Sequence, residues 1–183
     1  VKRKNKFSRD RTKRSPKVSS PGYIEMDSVV LYVNGIRHNF MCLIDVYTKF
    51  AHVRKVKTIS SLQAKITFQE FQQLTPHKIH TVQTDNGSEF FKYFHHYLDE
   101  QNIQHQFIYP KSPKINGVVE RFNRTVQEEF INRNEEIYYN LDAFQVKLQK
   151  YLDWYNTKRP HMALNYLSPQ QFIQSNFPES MCL

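Results

Sequence analysis

The order of apolar and polar positions predicts a domain that begins with strands. Alternating and β-branched residues run from Tyr23 to Val33 and from Ile36 to Asp45. The Asn34-Gly35 pair between them is typical of a two-residue hairpin turn. A third strand is predicted from about Phe50 to Val56. The first three strands are therefore expected to form an antiparallel meander.

Helical patterns and short apolar runs alternate in the rest of the chain. Ser60 can cap a helix that ends near Leu74, with an apolar stripe made of Leu62, Ile66, Phe71 and Leu74. The pattern then predicts a strand at Ile79–Thr84, a helix around Phe91–Gln101, a strand at Gln104–Ile108, a helix from about Val118 and a last helix at Leu141–Tyr155. In the helix from Val118, the stripe Val119, Phe122, Val126 and Phe130 faces the core. This order is typical of an α/β fold, a mixed sheet of five strands flanked by helices.

The positive charge of the chain is concentrated at its start. The 183 residues carry a formal net charge of +9, of which residues 1–20, with nine Lys or Arg and Asp10, supply +8. We expect residues 1–20 to be a disordered basic arm or linker, residues 21–175 to be one domain and residues 176–183 to be a tail. The arm could neutralise phosphates along a nucleic acid, or it could be a solvated linker, and the two readings are compatible.

The composition excludes several classes of protein. Hydrophobic residues make up 39% of the chain, which is too many for a disordered protein, and no apolar run approaches the roughly 18 residues of a membrane span. Cys42 and Cys182 form no disulfide framework, and none of the eight histidines is assigned to a metal. The chain begins at Val1 without a signal-peptide pattern, so we expect a cytoplasmic protein, associated with the nucleoid in a bacterial host.

Three acidic residues occupy positions where an acid does not help packing. Asp27 lies within an otherwise apolar strand, Asp85 follows a strand, and Glu120 lies in the first turn of a helix. Each has a structural explanation: an edge-strand charge, an Asx turn before Asn86-Gly87, or a favourable helix-dipole position. If the three converge, their oxygen ligands favour Mg²⁺ or Mn²⁺, and two such ions could serve an in-line displacement on a phosphate. The spacing of the residues alone leaves both readings open.

Four segments of the sequence resemble the DDE-type integrase core of retroviral integrases and bacterial insertion-sequence transposases. They are Ile24–Asp27, Gln83–Phe90, Pro113–Thr125 and Tyr155-Asn156 with Arg159-Pro160-His161. The resemblance spans most of residues 22–173. It implies an RNase H-like fold in which the first strand lies beside the strand that ends at Asp85, and the helix of Glu120 closes the site.

The resemblance also implies a function and its residues. Asp27, Asp85 and Glu120 would be the catalytic and metal-binding residues, with Mg²⁺ or Mn²⁺, in two ions, as cofactor. Arg124, Lys111, Lys114 and Gln127 are the expected DNA-binding positions, and Gln127 stands where family members often carry Lys or Arg. The reaction would be metal-dependent cleavage at the DNA ends of a mobile element, followed by attack of the 3′-hydroxyl on target DNA. The expected partners are both DNAs and further copies of this chain, with no membrane.

Two other functions stay open at this point. An RNase H-like nuclease would use the same carboxylates and metals but would cut without joining. A catalytically inactive DNA-binding remnant of a mobile element is the second alternative. Among the supporting segments, Asn86-Gly87 is expected to shape the turn at Asp85, Asn116-Gly117 the entry to the Glu120 helix, and Arg159-Pro160-His161 the packing near the C-terminus.

Overall fold

One mixed sheet with helices on both faces makes up the part of the chain that the structure describes, residues 10–12, 17–109 and 113–178 of a computed structural model. The strands are β1 (Asp10–Thr12), β2 (Tyr23–Val33), β3 (Ile36–Asp45), β4 (Ala51–Val56), β5 (Thr81–Thr84) and β6 (Gln104–Ile108). The helices are α1 (Ser61–Leu74), α2 (Tyr93–Glu100), α3 (Gly117–Glu129), α4 (Leu141–Thr157) and α5 (Pro169–Asn176). The α/β class and the predicted order of elements are confirmed.

The sheet has the strand order β1-β6-β5-β2-β3-β4. The meander β2-β3-β4 is antiparallel as predicted, and β5 and β6 extend the sheet in parallel on the other side of β2. Six strands replace the predicted five, because β1 pairs in parallel with β6. Without β1, the backbone groups along that edge of β6 would be unpaired.

The disordered arm predicted for residues 1–20 is therefore wrong for Asp10–Thr12, which form β1. The sequence of Asp10–Thr12 is polar and charged and shows no strand pattern. These residues form a strand because they pair with the edge of β6. Residues 1–9 and 13–16 of the arm lie outside the described residues.

Alternation along β2 sends its side chains to two different cores. Ile24 and Met26 face a core that includes Phe68 and Phe71 of α1. The opposite face of the sheet carries a second core, built from β3, β4, α3 and α4 around Phe122. Glu25 and Asp27 lie on this second face, because Ile44 and Cys42, their partners across the β2–β3 ladder, belong to the second core. The two acids therefore point toward α3.

Helix α1 begins after Ser60 as predicted, and the Ser60 side chain accepts a hydrogen bond from the Gln63 amide. Its buried stripe differs from the predicted one. Phe71 is buried as predicted, but Leu62 and Leu74 are 49% and 47% exposed, and Ala64 and Phe68 are buried in their place. Phe68 buries more apolar surface than a leucine would, and it packs beside Phe71 in the core.

The C-terminal helices complete the second core. The predicted stripe of α3 is confirmed, since Val119, Phe122, Val126 and the following Phe130 are all buried. Helix α5 was not predicted, although Ser168 and Gln171 form a capping box at its start, and it ends at Asn176, one residue beyond the predicted domain. No helix in the described ranges combines the length and the apolar character needed to cross a membrane.

Candidate active site

Asp27 lies in the middle of β2 and is half-buried. Its Oδ1 accepts a hydrogen bond from the Ser28 amide at 2.9 Å. Its Oδ2 accepts one from the Asn123 side chain on α3, also at 2.9 Å. Both carboxylate oxygens are thus oriented, one by the strand and one by the helix that packs on it.

Asp85 follows the last residue of β5, the strand next to β2. The parallel ladder places Glu25 of β2 opposite Gln83 of β5. Two residues after this pair come the predicted acids, Asp27 along β2 and Asp85 just past the end of β5. The Asp85 Oδ1 accepts the Gly87 amide at 2.8 Å, and the Asn86 side chain donates to the Ile108 carbonyl at 2.8 Å. Asn86 and Gly87 shape this turn as predicted. Asp85 therefore forms an Asx turn and also lies beside Asp27 in the ladder direction.

Glu120 lies in the first turn of α3, which packs against β2 and β3. Its side chain is exposed, whereas those of Val119 and Phe122 on the same helix are buried. Its negative charge raises the pKa of both Asp27 and Glu25. Glu120 therefore lies within electrostatic range of the acids on β2.

Burial and mutual repulsion dominate the electrostatics of these acids. Burial, then the charges of Asp85 and, more weakly, Glu120, raise the pKa of Asp27 to about 6, against the opposing hydrogen bonds. Burial also raises the pKa of Asp85, as does the charge of Glu89. Carboxylates that raise one another's pKa bind a cation more readily, because the cation relieves their repulsion.

The chemistry of these side chains fits a hard divalent cation. All the acidic ligands are oxygen donors, which Mg²⁺ and Mn²⁺ prefer. In the described ranges, no three His, Cys, Asp or Glu side chains lie close enough to hold one ion together. The charges of Asp85 and Glu120 both act on Asp27, but the three side chains as they stand do not form a closed set of ligands.

Sequence reasoning missed three side chains beside these acids. Asn123 donates to Asp27, and its own Oδ1 is buried without a hydrogen-bond partner in the described part of the chain. Ser28 donates its hydroxyl to Glu89, the acid that acts on Asp85. Asn123 lies three residues after Glu120, a spacing that shares one helix face, and this signal could have identified it.

Gly87 allows the chain to pass close to two carboxylates. A Cβ at this position would lie 2.5 Å from Glu89 Oε2 and 2.9 Å from Asp85 Oδ1. Its backbone angles, φ −60° and ψ 144°, suit any residue. The backbone conformation would therefore accept another residue, but a side chain here would displace the carboxylates of Glu89 and Asp85.

The structure describes the side chains of two of the four predicted DNA-binding residues, Arg124 and Gln127. Arg124 is exposed one turn after Glu120, and Gln127 is half-buried one turn further on. Lys111 and the side chain of Lys114 lie outside the described residues.

A groove of about 700 Å³ runs along the start of α3 on the side of Glu25. Lys49 and Arg121 line it together with Met162 and Tyr166, which are 76% and 71% exposed. Burial lowers the pKa of Lys49, Glu25 opposes this effect, and the charge of Arg121 lowers the pKa further. Two cations that were not predicted thus lie near each other beside Glu25.

The chain matches a known family over part of its length. Residues 101–169 match the family described as integrase core domain. The candidate integrase ORF3 of Spiroplasma virus SpV1-C74 is 31% identical over 135 residues, which cover 66% of this chain and 37% of that protein. The transposase for insertion sequence element IS904 of Lactococcus lactis is 32% identical over 97 residues, which cover 52% of this chain and 38% of that protein. The matched segments thus span little more than a third of either relative.

A solved structure shares the fold. The catalytic core domain of HTLV-2 integrase, in complex with magnesium and in a trimeric form, superposes with a TM-score of 0.67 at 18% identity. The match covers 82% of this chain and 94% of that one. The RNase H-like fold expected from the sequence is confirmed by this likeness.

Proposed function

We propose that this chain, which carries an integrase or transposase core of the DDE type, catalyses metal-dependent cleavage of mobile-element DNA ends and their transfer into target DNA. Asp27, Asp85 and Glu120 are its catalytic and metal-binding residues in this proposal. The reaction class is phosphoryl transfer between DNA strands, as in other polynucleotidyl transferases.

One observation carries the assignment of residues. The β2–β5 ladder runs toward Asp27 and Asp85 in register, and the charges of Asp85 and Glu120 both act on Asp27. An edge-strand charge, an Asx turn and a first-turn acid would have no reason to share one neighbourhood. Their convergence supports a joint role.

The metal would be held by the carboxylates of Asp27, Asp85 and Glu120. When bound, Mg²⁺ or Mn²⁺ polarises phosphate oxygens and stabilises the charge that develops in an in-line displacement, and a pair of ions acts on both the attacking and the leaving oxygen. The catalytic core domain of HTLV-2 integrase, which shares this fold, forms a complex with magnesium. We propose the same class of ion here, and two ions when DNA is bound.

The chain's own residues supply orientation and charge. The Asn123 amide fixes one oxygen of Asp27, and the Gly87 amide fixes one oxygen of Asp85. Arg124, one turn after Glu120, and the groove cations Lys49 and Arg121 would contact DNA phosphates on either side of the acids. Positioning of the two DNA strands is the main protein contribution to such a reaction.

The partners follow from the reaction. Joining an element requires both of its ends, so we propose that several copies of the chain act together. The outer face of α4 supports this, because Val146 and Trp154 are 57% and 42% exposed. In a bacterial host, the place of action would be the nucleoid.

The experiment that tests this function uses labelled linear DNA with candidate element ends, in Mg²⁺ or Mn²⁺. Wild type is expected to cut near the 3′ end and to join the cut end to a second DNA. Asp85→Asn is expected to lose both activities, by more than about 100-fold, while binding nonspecific DNA as wild type does. Asp142→Asn, an exposed acid in the first turn of α4, is the control and is expected to keep both activities.

The products separate the alternatives. Cleavage without joining would favour an RNase H-like nuclease. DNA binding with neither reaction would favour an inactive remnant of a mobile element. Retained cleavage in Asp85→Asn would overturn the assignment of the residues.

A further inference from the structure

Glu25 is a buried carboxylate that the proposed chemistry does not use. It lies in β2, only 1% of its surface is exposed, and its neighbours Ile24 and Met26 are fully buried. A buried carboxylate is costly unless hydrogen bonds compensate for its lost hydration. Glu25 obtains them from α3: its Oε2 accepts the Val118 amide at 3.0 Å and the Val119 amide at 2.8 Å.

Helix α3 depends on this carboxylate for its first turn. Backbone amides in the first turn of a helix have no partner within the helix. Asn116, the residue that precedes α3, makes no side-chain capping hydrogen bond, and the Asn116 Oδ1 accepts instead from Gln83. The amides of Val118 and Val119 are capped from a distant strand, where the helix dipole also favours a negative charge.

Through its hydrogen bonds to α3, Glu25 connects the parts of the chain that carry Asp27 and Glu120. Glu25 precedes Asp27 by two residues on the same face of β2, a separation of roughly 7 Å. Val119 immediately precedes Glu120 on α3. One carboxylate thus ties the strand of Asp27 to the helix turn of Glu120.

We propose that Glu25 is a positioning residue, which fixes the first turn of α3 on β2 and thereby sets the position of Glu120 relative to Asp27. This inference rests on the proposed function. It distinguishes Glu25 from an ordinary helix cap, because loss of the contact should weaken metal-dependent activity more than it weakens the fold.

The test compares Glu25→Leu, which removes the acceptor, with Glu25→Gln, which retains an acceptor oxygen at the same length. In Glu25→Leu, hydrogen exchange of the Val118 and Val119 amides should be at least about tenfold faster, and the Mg²⁺ concentration for half-maximal joining should rise by about 10–100-fold, as for other supports of metal ligands. DNA affinity should stay within about twofold of wild type. Glu25→Gln should recover most of both effects.

The matched control lies at the other end of the same helix. Glu129 accepts hydrogen bonds from Arg159 and Tyr151, so Glu129→Leu also removes a structural carboxylate from α3. It should lower thermal stability without changing the Mg²⁺ requirement. If Glu25→Leu does not fold, Glu25→Asp serves instead, because its shorter side chain keeps the charge but draws back from the two amides, and it should show the same changes as Glu25→Leu.

The outcomes are distinct. Unchanged amide exchange, or a Mg²⁺ requirement that shifts equally in Glu25→Leu and Glu129→Leu, would overturn the positioning role. Failure of wild type to cut and join DNA would overturn the proposed function, and with it the role for Glu120. In that case faster exchange in Glu25→Leu would identify Glu25 as a helix cap only.

Discussion

At the scale of single residues, the proposed chemistry depends most on the charge of Asp27. Its pKa is raised to about 6 by burial and by neighbouring acids, so in the metal-free protein it is largely protonated below that pH. A divalent cation binds the ionised carboxylate and must displace the proton first.

This pKa predicts how metal binding depends on pH. Affinity for Mn²⁺, followed by calorimetry, should be nearly constant above pH 7 and should fall about tenfold for each unit below about pH 6, because one proton is released. The rise in the pKa of Asp85 acts in the same direction. Unfolding curves at each pH should show that the protein remains folded. A constant affinity between pH 5 and pH 7 would contradict the assignment of Asp27 as a ligand.

Gly87 provides a second prediction at this scale. In Gly87→Ala, the new Cβ would come within 3 Å of both Glu89 and Asp85 and would push their carboxylates apart. We expect joining activity to fall by at least about tenfold, while the unfolding free energy changes by less than about 1 kcal/mol, since the turn conformation suits alanine. Adding Glu89→Gln to Gly87→Ala is expected not to restore joining activity, because the contact between the new Cβ and Asp85 remains. Wild-type activity in Gly87→Ala would show that the spacing of these carboxylates is unimportant.

The sequence identified Asp27, Asp85 and Glu120 as candidates, and the structure brings them into one neighbourhood. It could not identify Glu25 as the cap of α3, because the amides it accepts from lie 93 and 94 residues further along the chain. Contacts of that separation follow from sheet register and helix docking, and no local pattern encodes them.

At the scale of elements, α3 joins the site to the second core. Glu120 and Arg124 are exposed, Asn123 contacts Asp27 of β2, and Val119, Phe122 and Val126 are buried. The Phe122 ring packs edge-on against Tyr155 of α4 at a centroid distance of 5.2 Å. Docking of α3 therefore combines this apolar packing with the hydrogen bonds that its first turn donates to the Glu25 carboxylate.

Truncation of the packed face should act on stability. Phe122→Ala should lower the unfolding free energy by about 3–5 kcal/mol, measured by urea denaturation, because it leaves a cavity between α3 and α4. Arg124→Ala, on the exposed face of the same helix, should change it by less than about 0.5 kcal/mol. A small effect of Phe122→Ala would mean that α3 is not packed as described.

Element order was predictable because strands and helices have different periods, and capping residues mark helix starts. The stripe of α1 was right at Phe71 but wrong at Leu62 and Leu74, because leucine and phenylalanine at different positions both fit a helical period, and the burial of Phe68 decides between them. Strand β1 was missed because its residues, Asp10–Thr12, are polar, and only the edge of β6 makes them a strand.

At the scale of the whole molecule, the distribution of charge determines how the chain should approach DNA. Most of the formal charge of +9 comes from residues 1–20, and the rest of the chain, which contains the acids of the site, carries a net charge of only +1. A basic segment beside an acidic site can bind phosphates where the site itself repels them.

A truncation tests the role of that segment. Removal of residues 1–9 deletes five Lys or Arg and leaves β1 in place. If the segment binds DNA, the slope of log affinity against log salt should become shallower by up to about 0.9 for each cation that contacts a phosphate. An Arg133→Gln variant, which changes an exposed cation elsewhere, measures the effect of one unrelated charge. An unchanged slope after truncation would identify residues 1–9 as a linker.

The most direct test of the account is a calorimetric titration of Mn²⁺ into wild type and into Asp27→Asn, Asp85→Asn and Glu120→Gln at pH 8. If the three acids form one metal site, wild type binds Mn²⁺ and each variant loses most of the affinity, with Asp142→Asn unchanged. Wild-type affinity in any one of the three variants would contradict a shared site, and would leave that residue to its separate structural role.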